Sequence, residues 1–266
     1  MKHLHIVMPA AGTNPRLNQH EFQMQYAYQQ ILHKLADAVD LQGADAQQAI
    51  AGLSHYSKAL TGMSLFVLLN HYSTSTAAMG YGDANDILIE QGINVATQPI
   101  QQDLINQITS FAVGNLDYIT GDMQDRLAES LQEGYASGEG IPDLADRVQD
   151  VLDISDNKAT RDARTLTNEI YNQAHMQRYR DSNVVTGVQY VCAQSEGTCD
   201  VCAALGGTIW DINDPNIVTP PTHYNCRCRL LSYLGALPAN AGQVDSDVMD
   251  AYNDFRQNYW NVPAYS

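Results

Sequence analysis

Four of the five cysteines lie close together in the C-terminal third of the chain, in a pattern that suits a metal ion. A Cys-x-x-Cys turn directs two thiolates at one ion, and donors from a second, distant turn can complete a tetrahedron. Cys226 and Cys228 alternate along the chain, so on an extended segment both point to one face. The sequence therefore predicts a closed, structural zinc site that takes four of five candidate ligands. The candidates are Cys199, Cys202, His223, Cys226 and Cys228.

The same cysteines allow a second interpretation, in which they are buried thiols or a redox pair. The N-terminal residues lack the long apolar core and the clear cleavage site of a signal peptide, so we expect synthesis in the cytoplasm. In that compartment clustered cysteines favour metal binding over disulfides. The fifth cysteine, Cys192, stands apart from the others and is interpreted as a strand residue.

The charge balance argues against nucleic acid as a general partner. The chain carries 30 acidic and 14 basic residues, a net charge of -16, and an acidic surface repels DNA. A local basic patch around Arg227 and Arg229 would still allow contact with it. No apolar run approaches the roughly 18 residues of a membrane span, so no membrane partner is expected.

The chain before the cysteines is predicted to be helical. Apolar residues repeat at helical spacing over residues 21–38, and Asp45 suits the N-cap of a further helix. After Pro99 the pattern predicts one helix to about residue 116, a second from Asp122, a short third over 141–151 and a fourth over 158–181. The type of the apolar segment 63–69 stays open. The lone histidine of the last helix, His175, is expected at the surface.

The sequence pattern changes from helical to β-branched after Ser182, and this change divides the chain. Val184 to Val191 is β-branched and predicts a strand, and residues 227–233 predict a returning strand. The predicted fold class is mainly α with a small α+β metal-stapled module near the C-terminus. The predicted regions are a flexible N-terminal arm (1–20), an N-terminal helical region (21–98), a helical body (99–182), a β-containing Cys/His zinc module (183–234), and a C-terminal linker and aromatic tail (235–266).

The aromatic tail has two possible destinations. Tyr252, Phe255, Tyr259 and Trp260 carry apolar area that is costly to leave in water, about 25 cal/mol per Å². We expect at least one terminus to dock on another subunit, with folding back onto the chain's own body as the alternative.

The order of motifs from residue 163 to residue 231 resembles one known family. A helix carries Ala163-Arg164-Thr165 with Asn168 and Glu169 one turn on, and a strand, the Cys-x-x-Cys pair and a Gly-containing segment follow. The run closes with Pro220-Pro221-Thr222-His223-Tyr224-Asn225-Cys226-Arg227-Cys228. This pattern is similar to the phage Mu F-like minor head protein (head-morphogenesis) family of tailed viruses, with a weaker likeness over 100–155. The turn at residues 194–198 departs from the family, whose members often carry Asp there.

The resemblance implies a structural protein of the virion. Such a protein would lie inside the head near the portal, after assembly in the host cytoplasm, and would assist capsid assembly or DNA packaging and delivery. The implied partner is the portal protein. Capsid or scaffold proteins and further copies of this chain are additional candidates, with packaged DNA nearby.

No catalytic residue is expected. A zinc-dependent enzyme and a nucleic-acid-binding zinc module are the alternatives, but a metal hydrolase needs an open coordination position and a general base, and no His-Glu-x-x-His motif is present. Three polar residues are expected to be structural. Arg164 would tie its helix to a carboxylate or to backbone carbonyls, Asn225 would make turn hydrogen bonds, and Arg227 would brace the module or meet a partner.

Overall fold

The computed structural model describes residues 15–53, 63–192 and 198–260. The described helices are α1 (Pro15–Asp37), α2 (Ala46–Ile50), α3 (Met63–Glu90), α4 (Gln102–Ala136), α5 (Ile141–Ser182), α6 (Asp200–Leu205) and α7 (Ser246–Trp260). The strands are β1 (Gly187–Val191), β2 (Ile209–Asp211) and β3 (Arg229–Tyr233). None of the described helices is long and apolar enough to cross a membrane.

The long helix α5 is the centre of the helical body. Helices α1, α3 and α4 pack around it, because each turns an apolar stripe inward. The stripe predicted for α1 is confirmed: Met24, Tyr28, Leu32 and Leu35 are fully buried, and Ile31 nearly so. The N-cap predicted at Asp45 is also confirmed, since its side chain accepts a hydrogen bond from the backbone N–H of Gln48.

Two predicted helix breaks were wrong. The chain is continuously helical over α4, across Asp122, and over the 42 residues of α5, across residues 151–158. The apolar stripe of α5 is interrupted there because Ser155 and Asp156 lie on its buried face. Ser155 donates to the carbonyl of Val151 at 2.9 Å, and Asp156 pairs with His33 of α1 at 2.9 Å. Because each of these polar side chains has a partner, both are tolerated on the buried face, and the helix continues through them.

The N-terminal half shows two further differences from the sequence prediction. Helix α1 begins at Pro15, a residue suited to a first turn, so residues 15–20 are not part of an arm, and residues 1–14 lie outside the described part. The segment 63–69 is the start of α3, a helix that continues through Gly80 and Gly82. Gly80 is required by close packing, because a Cβ there would lie 2.8 Å from the carbonyl oxygen of Tyr171.

A three-stranded antiparallel sheet in the order β2-β1-β3 follows the helical body. In its register Val188 of β1 lies opposite Trp210 of β2 and Ser232 of β3. Both predicted strands are confirmed, with β1 starting at Gly187 rather than Val184, since α5 runs to Ser182 and is followed by Asn183 as a left-handed C-cap. The short α6 and β2 were not predicted. The predicted fold class, a mainly helical protein with a small β-containing module, is confirmed.

The Cys/His module (residues 183–234) shares a hydrophobic core with the helical body. Tyr190, Trp210 and Leu230 of the sheet are buried together with Leu88 of α3 and Tyr179 of α5. Beside this core His175 is fully buried, so its predicted surface position was wrong. The face of α5 that carries His175 was expected to be exposed to solvent, but the sheet and α3 cover it.

The C-terminal helix α7 packs on the chain's own module. The hydroxyl of Tyr252 accepts a hydrogen bond from the backbone N–H of Thr219 at 3.4 Å, and Arg256 binds the buried carboxylate of Glu169 at 2.5 Å. The Phe255 ring lies edge-on to Tyr224, with centroids 5.5 Å apart. These residues show the alternative arrangement, in which the tail folds back onto the chain's own body, and docking of a terminus on another subunit stays a prediction. The side chains of Tyr259 and Trp260 and residues 261–266 lie outside the described part.

Candidate metal centre

The structure brings all five predicted donors into one cluster. The ligand atoms of Cys199, Cys202 and His223 lie within 4.8 Å of one another, and so do those of Cys202, Cys226 and Cys228. Cys202 belongs to both groups, and its Sγ lies 3.9 Å from that of Cys226. Two turns distant in sequence therefore meet around the Cys202 sulfur, which brings together the kinds of donor that a tetrahedral site needs.

Helix α6 positions the first pair of cysteines. Cys199 is its N-cap residue, and the Cys199 Sγ accepts a hydrogen bond from the backbone N–H of Cys202 at 3.4 Å. This cap occupies a free donor at the helix start and turns both sulfurs to the same side. Cys202 is buried, whereas Cys199 is half-buried.

His223 presents one specific ring nitrogen to the cluster. Its Nδ1 lies 2.6 Å from the carbonyl oxygen of Tyr224, an acceptor only, so Nδ1 carries the proton and donates it. Nε2 is directed at the Cys202 sulfur, 3.1 Å away. A backbone carbonyl on the far nitrogen is the usual way in which a metal-binding histidine is oriented, so that loss of the Nε2 proton would free its lone pair for an ion.

The second pair of cysteines is held by α5. The carbonyl oxygen of Cys228 accepts hydrogen bonds from the amides of Asn168 and Asn172, each at 3.3 Å. The same Asn172 accepts from the backbone N–H of Leu230 at 3.1 Å. These bonds fasten the entry to β3 on the central helix, and both Cys226 and Cys228 are buried there.

Two hydroxyl groups complete the surroundings of the sulfurs. Thr222 Oγ1 lies 3.2 Å from Cys202 Sγ, and the Tyr190 hydroxyl lies 3.1 Å from Thr222 Oγ1. Burial raises the pKa of Tyr190, so its hydroxyl keeps its proton.

The protein's own groups favour negative charge on one sulfur. The pKa of the Cys202 thiol is lowered, because the thiols of Cys226 and Cys228 and the ring of His223 donate hydrogen bonds to it. The pKa of His223 is raised to about 11 by its hydrogen bonds to Cys202 and Cys226. In the metal-free site the protonated ring of His223 supplies the counter-charge, and a bound metal cation would displace these protons and take its place.

A single carboxylate ties this cluster to the N-terminal helix. Glu21 of α1, 3% exposed, accepts from Arg164 Nε at 2.6 Å and from both terminal nitrogens of Arg227. Arg164 also donates to Asn225 Oδ1 at 3.0 Å. Asn225 adopts a left-handed backbone with φ 64, and its N–H donates to Thr165 Oγ1 at 3.0 Å. The three residues assigned structural roles from sequence thus form one network around Glu21.

The donor set fits a zinc ion. The five sulfur and nitrogen donors form two groups of three that share Cys202, and soft thiolates with an imidazole are the ligands of structural zinc sites. Cys192 follows β1 by one residue and belongs to neither of the described groups of donors.

Several residues of this site escaped sequence reasoning. Glu21, Asn172, Tyr190 and Thr222 lack a motif of their own, and Glu21 lies 143 positions before Arg164. Only Thr222, inside the Pro-Pro-x-His segment, stood in a stretch that had already drawn attention.

One known protein family matches part of the chain. Residues 125–231 match the family described as Phage Mu protein F like protein. The match contains the whole of α5 and every candidate ligand, and it confirms the resemblance inferred from the motifs. No curated protein and no solved structure matches the chain significantly.

Proposed function

We propose, from the match of residues 125–231 to phage Mu F-like proteins, that this chain is a minor structural protein of a tailed-phage head. In this proposal it lies inside the head near the portal, which is its main partner, and assists capsid assembly or DNA packaging and delivery. Capsid or scaffold proteins and other copies of the chain are secondary partners. The observation that carries the proposal is that the matched segment coincides with the central helix and the complete ligand cluster.

In this proposal the metal is a structural zinc. When bound, zinc contributes folding free energy to a small module of this kind. Four of the five donors would hold it, and they come from α6, from the turn after Pro221 and from the entry to β3. One ion would therefore cross-link three segments of the module.

Burial of the donors supports a structural role over a catalytic one. Cys202, Cys226 and Cys228 are each at most 3% exposed, whereas a substrate needs an open coordination position. The same geometry argues against a nucleic-acid-binding module. Arg227 points to Glu21 rather than to solvent, so it does not form an exposed basic stripe with Arg229.

Protease protection in purified particles tests the placement. The chain should co-purify in low copy with proheads and with mature particles, and it should resist added protease until the shell is opened. An outer-shell protein digested in the same sample is the control. Particles that lack the chain, or intact particles in which it is digested as fast as the control, would refute the proposal. Proheads assembled without portal should lack the chain.

A further inference from the structure

Two buried hydroxyl groups lie among the sulfurs without being metal ligands themselves. Tyr190 is fully buried and Thr222 is 2% exposed. Tyr190 comes from β1, and Thr222 directly precedes His223, so the two belong to different segments of the module. A buried hydroxyl is stable only when it has a hydrogen-bond partner, and here the partners are each other and the thiols.

The distances define a short chain of hydrogen bonds that ends on sulfur. The Tyr190 hydroxyl lies 3.1 Å from Thr222 Oγ1, which lies 3.2 Å from Cys202 Sγ. Direct separations are longer: Tyr190 is 3.6 Å from Cys202 Sγ and 3.9 Å from Cys226 Sγ, and Thr222 is 3.8 Å from Cys226 Sγ.

Counting protons shows that one of them is donated to a cysteine sulfur. Each hydroxyl has one proton, and the bond between Tyr190 and Thr222 uses one of the two. Among the described contacts of both groups, the remaining acceptors are the sulfurs of Cys202 and Cys226. The arrangement with the shortest distances has Tyr190 donating to Thr222 and Thr222 donating to Cys202.

A zinc site with three or four thiolates needs such donors. Its net charge is negative, and in a core lined by Trp210 and Leu230 this charge is not stabilised by water. We propose that Tyr190 and Thr222 are positioning residues of the metal centre, which donate a relayed hydrogen bond to the Cys202 thiolate and fix its direction. This inference rests on the proposed zinc site. Hydrogen bonds along such a chain strengthen one another.

The test removes each hydroxyl while keeping the shape of the side chain. Tyr190→Phe and Thr222→Val are compared with two matched controls in the full chain. Tyr179→Phe removes a buried tyrosine hydroxyl of the same core that bonds to His175, and Thr167→Val removes a buried hydroxyl that bonds to the carbonyl of Ala163. Zinc affinity is measured by competition with a chelator, and the ligand field is measured by the absorption of the Co²⁺-loaded protein.

The expected result is a loss of zinc affinity of about 10- to 100-fold in Tyr190→Phe and Thr222→Val, the usual effect of removing an outer partner of a metal ligand. Their thiolate-to-cobalt absorption bands should shift. The double variant should lose little more than Thr222→Val alone, because the two groups act as one relay. Both controls should bind zinc as the unmodified chain does.

Two outcomes would overturn the inference, and they differ in what else they overturn. If the unmodified chain binds zinc but both variants bind it equally well with unchanged cobalt spectra, the hydroxyls only satisfy each other and the zinc site stands. If the unmodified chain binds neither Zn²⁺ nor Co²⁺, both the relay and the zinc site are wrong.

Discussion

Replacing the carboxylate that ties α1 to the Cys/His module should destabilise the protein strongly. Glu21→Gln keeps the size of the side chain and removes its charge. The side chain of Glu21 is 4% exposed, and those of Arg164 and Arg227 are 15% and 17% exposed. The substitution therefore leaves two guanidinium groups largely buried without their counter-charge.

The magnitude follows from what is lost and what remains. Removing one partner of a buried ion pair costs about 3–5 kcal/mol. The two arginines recover some hydration through their exposed fraction, Arg164 keeps its bond to Asn225, and the glutamine oxygen still accepts one hydrogen bond. We expect a loss of about 3 kcal/mol in the free energy of unfolding.

Urea denaturation of the metal-loaded protein measures this loss, and hydrogen exchange locates it. Protection should fall most in the first turns of α1 and around Arg227. The control is Glu90→Gln at the exposed end of α3, where the same change should cost less than about 0.5 kcal/mol. A Glu21→Gln cost no greater than that of the control, or unchanged protection of α1, would show that Glu21 does not tie α1 to the module.

A double-mutant cycle would show whether the two ion pairs are one network. Arg227→Gln alone should destabilise the protein, but in the Glu21→Gln background it should cost much less, since its partner is already gone. Additive effects would show that Glu21 and Arg227 act independently, contrary to the geometry.

Three further predictions concern the core, the pH dependence and the module. Gly80→Ala should destabilise the protein, because the new Cβ would lie 2.8 Å from a backbone carbonyl oxygen of α5. Gly82 has open space around it, so Gly82→Ala should stabilise the protein by about 0.5–1 kcal/mol. Equal shifts of the two variants in thermal denaturation would contradict this prediction. Burial lowers the pKa of His175 to about 4, so the unfolded state binds more protons below pH 6.5, and stability should fall by about 3 kcal/mol between pH 6.5 and 4. His175→Gln should remove that part of the pH dependence in denaturant titrations, and an unchanged slope would show that the ring is accessible. Cys202→Ser should abolish protection from hydrogen exchange across 187–233 and leave the helices of 100–180 protected, and unchanged protection would show that the metal is not structural.

Features of the fold that depend on local sequence could be predicted, whereas features that depend on residues distant in the chain could not. The stripe of α1 and the N-cap at Asp45 rest on local spacing and capping, and both were predictable. The continuity of α5 across this point involves His33, which pairs with Asp156 from 123 positions away. Nothing local indicates that a buried aspartate has such a partner, so the interrupted stripe suggested two helices.

The candidate site shows the same division. The donors of Cys-x-x-Cys and of the His-x-x-Cys-x-Cys segment could be predicted, because their spacing is visible in the local sequence. The expectation that Arg164 meets a carboxylate followed from its charge, but the choice of Glu21 among 30 acidic residues is a property of the packing of α1 on α5. The roles of Tyr190 and Thr222 depend in the same way on a cluster that exists only once the chain is folded.

The most direct test of the metal-stapled module is X-ray absorption at the zinc edge, on protein purified under reducing conditions and free of chelator. We expect one zinc per chain, bound by four ligands of which at least three are sulfur, at about 2.3 Å. Protein that holds no zinc, or a zinc with only nitrogen and oxygen neighbours, would contradict it.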